Sequence, residues 1–141
     1  MEQSWDDCSA AFLSSFLTRL DSRIRGLDPR VTKVVASLSY STSKVVMYNS
    51  LGELTSDFRP LGNVSVQTIF IQGGQSRSSS VSQSFRCGAE MISDSLLDTL
   101  ATRAVQNIDR MFEARRPKGG KMSVVMKAGA SGILLHEAMG H

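Results

Sequence analysis

Both histidines of the 141-residue chain fall within one six-residue stretch, His136-Glu137-Ala138-Met139-Gly140-His141. Neutral imidazole is a common zinc ligand, and a neighbouring carboxylate can take the proton of a metal-bound water. These residue types suit a hydrolytic zinc centre, with His136 and His141 as candidate Zn²⁺ ligands and Glu137 as candidate general base. The spacing is less obliging. Histidines four apart on a helix lie about 40° from each other around the axis, whereas five apart they lie about 140° apart, too far to grip one ion. The helix must change course between them. Either a π-type turn is inserted, or the helix unwinds at Gly140, whose missing Cβ permits a bend.

The run Gly132-Ile133-Leu134-Leu135 leads directly into this motif. It predicts a helix seated in a core, where an ionisable pair needs a reason to be. Other chemistries find little support. Gly73-Gly74-Gln75-Ser76 and Gly119-Gly120-Lys121-Met122 do not continue as a phosphate-binding loop. No nucleophile-elbow pattern accompanies the serines. Cys8 and Cys87 have no CxxC spacing and read as free thiols. The net charge is only +3. The one basic cluster, Arg115, Arg116, Lys118 and Lys121, contains no aromatic residue to stack a base, so it reads as a solvated loop and not a nucleic-acid surface. No apolar run approaches the roughly 20 residues of a membrane helix. The acidic start (Glu2, Asp6, Asp7) is unlike a signal or transit peptide, so a cytoplasmic, soluble protein is expected.

Elements that could position the motif are legible from periodicity. Phe12, Leu13, Phe16, Leu17, Leu20 and Ile24 recur at helical steps over 7–25, and Gly26 and Pro29 stop that helix. From Val31 the period becomes two. Val34, Ala36, Leu38 and Tyr40 lie opposite Val35, Ser37 and Ser39. Ser41-Thr42-Ser43 is expected to turn, Lys44–Asn49 to return, and Ser50–Glu53 to turn again. Pro60 is expected at a strand end or edge. Val64, Val66, Thr68 and Phe70 alternate with Ser65, Gln67, Ile69 and Ile71. The serine-rich piece Ser76–Ser84 reads as a flexible hairpin tip, with a last strand near Val81–Phe85. A helix follows over 90–114, striped by Ile92, Leu96, Leu97, Leu100, Ala104, Ile108 and Met111. Lys121–Gly129 reads as a short strand leading into the motif helix, and so as a candidate floor or edge of a peptide cleft. The expected fold is α+β: an antiparallel meander of about four to six strands flanked by helices, with the active-site helix at the C-terminus.

The stretch "GASGILLHEAMGH" resembles the active-site helix of the TldD family (TldD/PmbA), zinc metallopeptidases that carry HExxxH after a glycine-containing apolar lead-in. The resemblance extends upstream through "DPRVTKVVASLSYSTSKVVMYNSLGELTSDFRPLGNVSVQTIF" and "PKGGKMSVVMKAG", in the family's order. It implies that His136 and His141 are zinc ligands and Glu137 the catalytic acid/base. It also implies a peptide or unfolded-protein substrate, and a dimer with a paralogous TldD/PmbA-type subunit or with itself. The family's third ligand is a cysteine in a C-terminal domain downstream of the motif, and neither Cys8 nor Cys87 matches it. The resemblance thus presents residues 1–141 as a single, partial N-terminal domain without that C-terminal domain, and so with little or no activity alone. Two other readings remain: a non-catalytic dimerisation or peptide-binding module, and an unrelated α+β domain with an accidental motif.

Overall fold

In the computed structural model, which describes residues 3–116, 118–129 and 131–140, the first helix starts three residues later than its periodicity suggests and runs through Gly26, which does not stop it. Helix α1 (Ala10–Leu27) opens on Ser9, whose side chain accepts from the Phe12 amide at 3.1 Å. That bond satisfies a donor the first helical turn leaves open. Asp28 then turns extended immediately ahead of Pro29, as a residue before proline prefers. Phe16, Leu20 and Ile24, at successive steps of four, are the buried residues of α1.

Three long strands follow as an antiparallel meander in the order β1-β2-β3: β1 (Val31–Tyr48), β2 (Leu54–Gln72) and β3 (Gln75–Phe85). The architecture is the expected one, with three strands where four to six were counted. The surplus came from breaks in the sequence that are not breaks in the sheet. Ser41, Thr42 and Ser43 do not turn; they pair straight across to Leu61, Pro60 and Arg59. Pro60 lies within β2, in the half that has β1 as its neighbour, because pairing with β3 begins only at Gly62. On that open side a missing N–H breaks no ladder. The serine-rich piece is strand and not a flexible tip. The turn before it is the pair Gly73-Gly74, with φ of +56° and +77°. Positive φ at both central residues is what a two-residue type I′ hairpin requires.

One face of the sheet is the core. Val64, Val66, Thr68 and Phe70 of β2 are buried, as their alternation predicts. Val34, Ala36, Leu38 and Val81 of the flanking strands pack beside them. Helix α2 (Asp94–Val105), capped by Ser93, closes this face together with α1 through Leu96, Leu97, Leu100, Ala101 and Ala104. The helix expected over 90–114 is broken at Gln106–Asn107, after which α3 (Ile108–Glu113) resumes. Its stripe nevertheless carries on to Ile108, which is buried. Two arginines fasten α3 beyond the break. Arg30 pairs with Asp28 at 2.6 Å and with Asp109 at 2.7 Å, while Arg77 donates to the Met111 carbonyl at 2.9 Å. Both guanidiniums also lie against the Phe112 ring, 5.6 and 5.7 Å from its centroid, where a cation is attracted to the π-system.

Farther along the strands, Tyr40, Gly62 and Phe85 form one row across β1, β2 and β3. Trp5, from a short turn ahead of α1, lies over this row and is fully buried. It stacks on Tyr40 at 5.3 Å and on Phe85 at 6.3 Å, and its Nε1–H donates to the Cys87 carbonyl at 2.9 Å. The bare Cα of Gly62 makes the room. A Cβ there would overlap Trp5 Cζ2 and lie 2.7 Å from Phe85 Cε2.

Candidate metal centre

The motif lies on helix α4 (Ser131–Met139), which begins as the lead-in predicts. Its environment differs from the expectation. No residue of α4 is buried, and Ile133, Leu134 and Leu135 are 66%, 60% and 48% exposed. The physical reason lies in the sheet. The part of the sheet face that α1 and α2 cover is already filled, and α4 does not pack on the apolar side chains left exposed at the far ends of β1 and β2, among them Val46, Tyr48, Leu54 and Phe58. The strand expected over 121–129 is absent as well. Those residues form neither helix nor strand, and Met122, Val124, Val125 and Met126 stand exposed. A β-prone segment with no neighbouring strand has no ladder to join, so the proposed cleft floor is not built here.

Within α4, His136 and Glu137 occupy the last turn, both exposed. The helix ends at Met139, and the Gly140 amide donates back to the His136 carbonyl at 2.9 Å, an ordinary four-residue helical bond. No π-type bond is made at that step. His141 lies outside the described residues. A Cβ built at Gly140 would fall 2.8 Å from the His136 carbonyl oxygen and 3.3 Å from His136 Nδ1.

The chemistry of these donors fits zinc in kind, since imidazole nitrogen and carboxylate oxygen are both among its ligands. It falls short in number. Among the described residues, no group of three or more His, Cys, Asp or Glu side chains is placed to hold an ion. The two cysteines sit elsewhere, half-buried against the core cluster around Trp5. Burial pushes the Cys87 thiol up, with the Glu90 carboxylate adding to the effect, and so disfavours the thiolate a metal would need. Periodicity gave no hint of two other features: the glycine floor under Trp5, and the Arg30–Asp28–Asp109 cluster. In that cluster the Arg30 guanidinium holds the Asp28 carboxyl below the ordinary carboxylate range, and the two aspartates raise Arg30 in turn. The Asp-Pro-Arg string was visible, but Asp109 is its partner only in three dimensions. Among the described residues no helix is long and apolar enough to cross a membrane.

Comparison with known proteins adds to this geometry. Residues 4–112 match the family model described as the PmbA/TldA metallopeptidase central domain. A metalloprotease TldD homolog of Haemophilus influenzae is 35% identical over 127 residues, covering 86% of this chain and 26% of the relative. Another, from Buchnera aphidicola subsp. Schizaphis graminum, is 29% identical over 135 residues, or 91% of this chain and 28% of the relative. The chain thus spans about a quarter of the length of the curated relatives it matches. The match covers the α1–sheet–α2–α3 unit that packs as one body and stops just short of the segment bearing the motif. By that match, the chain belongs to the PmbA/TldD family of metallopeptidases.

Proposed function

We propose that this chain supplies part of the active site of a zinc-dependent peptidase acting on peptides or unfolded proteins. His136 and His141 are its zinc ligands and Glu137 its general base. The observation that carries this reading is the exposed His136-Glu137 pair at the end of α4, in a chain that belongs to a metallopeptidase family. His136 and His141 would hold the ion, which would supply Lewis-acid activation of a water and of the scissile carbonyl. Glu137 would accept the proton of that water, and its exposure leaves it reachable by water and substrate alike. Because the described residues bring together no third donor, the chain alone has little or no activity. The peptidase works in the cytoplasm, as a dimer with a related subunit or with itself.

Two measurements test this. Purified chain should carry more zinc than a His136→Ala variant; equal metal in both removes the histidine from the site. In a longer protein that contains this chain, Glu137→Gln should keep the metal and lower casein or short-peptide cleavage by about 10²–10⁴-fold, the usual contribution of a general base. Cleavage that survives the substitution sinks the role given to Glu137. A second reading, a non-catalytic dimerisation or peptide-binding module, draws on one observation: the packed unit and the family match both end before the motif. Full cleavage-deficiency of the longer protein, with zinc absent, would favour it.

A further inference from the structure

We infer that the far end of the β1–β2 hairpin is a self-association surface, on which a second copy of this chain packs face to face. Pairing with β3 ends at Gly62, so residues 41–61 form a two-stranded ribbon beyond the three-stranded part of the sheet. A two-stranded ribbon is marginal in water unless something packs on it. Its turn is nonetheless preformed: the Leu51 and Glu53 amides both donate to Asn49 Oδ1 at 3.0 Å, and Gly52 holds φ of +83°. The alternation of the core face runs on along the ribbon, through the pairs Lys44–Phe58, Val46–Ser56 and Tyr48–Leu54. Phe58, Val46, Tyr48 and Leu54 are exposed there, as is Leu51 in the turn. The opposite face carries charge instead, with Arg59 paired to Asp57 at 2.6 Å.

Area and shape select the occupant. The five apolar side chains are between 49% and 83% exposed. At about 150–200 Å² for a large apolar side chain they leave about 500–650 Å² open per copy, so a symmetric pair removes about 1,000–1,300 Å², enough for a small specific interface. Farther back on the same face, α1 and α2 stand about 10 Å above the sheet, so two copies meet only with their ribbons reversed, tip over root. With the twofold axis at the Val46–Ser56 row, each Lys44 faces the Tyr48–Leu54 end of the other ribbon, beside its Glu53. The contact is thus complementary in charge as well as in hydrophobicity. It rests on the self-paired form of the proposed dimer and not on the zinc site.

Sedimentation velocity of the whole chain over a concentration series tests this. The chain should dimerise with a Kd of about 10 µM or tighter. Val46→Lys should weaken association at least about 30-fold, as at a central interface residue. Met47→Lys, on the opposite face and 64% exposed, and Leu134→Lys, on α4 and 60% exposed, should stay within about twofold. Lys44→Glu should cost about 5–10-fold and Lys44→Gln less than about threefold, because only the first sets like charges together. If circular dichroism shows Val46→Lys unfolded, Tyr48→Lys, at a side chain 74% exposed, repeats the test. A chain that stays monomeric, or a dimer that Leu134→Lys dissociates and Val46→Lys leaves intact, overturns the inference. Zinc carried by Val46→Lys should equal that of the parent, so failure of this surface and failure of the metal reading are told apart.

Discussion

Gly62→Ala places one methyl group where the structure has two aromatic rings. The added Cβ would overlap Trp5 Cζ2 and stand 2.7 Å from Phe85 Cε2 and 2.9 Å from Phe85 Cδ2. Neither ring has an easy retreat. Trp5 is fully buried, stacked on Tyr40, and tied by its indole N–H to the Cys87 carbonyl. Overpacking a filled core costs about 1–3 kcal/mol. Pushing the indole off its acceptor adds about 1 kcal/mol for a buried hydrogen bond, and loosening the stack about 0.5–1.5 kcal/mol. The effects overlap, because one displacement relieves several of them, and the expected loss is about 2–4 kcal/mol. For a domain of this size that lowers Tm by about 8–15 °C.

Urea denaturation followed by circular dichroism measures the loss, and Trp5, the only tryptophan, reports its cause through fluorescence. The emission should shift to the red in the folded variant as the ring loses its enclosure. Gly26→Ala is the matched control. A Cβ there meets nothing within 4 Å inside α1, so that variant should gain up to about 1 kcal/mol from helix propensity alone. A Trp5→Phe background should blunt the cost of Gly62→Ala, since the smaller ring leaves room, and the double-mutant cycle should be clearly sub-additive. A Gly62→Ala protein with unchanged urea midpoint and unchanged emission would refute the claim that this glycine is a floor for Trp5.

Three further outcomes follow from other parts of the structure. Asp28 has its native pKa held below the unfolded value of about 3.9, so the unfolded chain binds more protons between the two values and stability rises with pH there. That contribution is complete above about pH 5 and is lost as pH falls through the lowered native value; the stability gap between the protein and Asp28→Asn should therefore be wide at pH 7 and narrow at pH 3, and an equal gap at both would contradict it. Asp98→Ala breaks an ion pair to Arg23 whose partners are 56% and 55% exposed, and should change stability by no more than about 0.5 kcal/mol in urea titration. Ending the chain after Glu113 removes no described residue of the buried core, so Tm should move by less than about 2 °C while binding of an apolar dye falls sharply; a large drop in Tm would mean that 114–140 holds the core together.

The parts of this fold that were legible in sequence are those whose signal is local. Phe16-Leu20-Ile24 marks a face, and Val64-Val66-Thr68-Phe70 alternates because β2 has a dry side and a wet side. The misread features depend on partners distant in the chain. Ser41-Thr42-Ser43 has turn composition, yet it stays extended because Leu61, Pro60 and Arg59 lie opposite. Ser76–Ser84 looks flexible until Gly73-Gly74 folds it against β2. Thr68 shows a limit of the same kind. Its place on the buried face was read correctly, but nothing in the alternation says that its hydroxyl is buried without a hydrogen-bond partner.

The motif helix turns this contrast around. The helix that carries His136 and Glu137 was legible from one short stretch because its signal is local. The expectation that failed was the one about surroundings: an apolar lead-in implied a core, and the structure leaves Ile133, Leu134 and Leu135 exposed. The two results are compatible once the chain is divided by packing and not by sequence order. Between Trp5 and Ile108, the buried apolar side chains close on one another around part of one sheet face, and the family match covers the same residues. Beyond Glu113, the apolar residues of 122–139 follow the periods of a strand and a helix but stay exposed, although Val46, Tyr48, Leu54 and Phe58 at the far ends of β1 and β2 are exposed as well. The candidate residues His136 and Glu137 therefore sit in the segment that the buried core contributes least to holding.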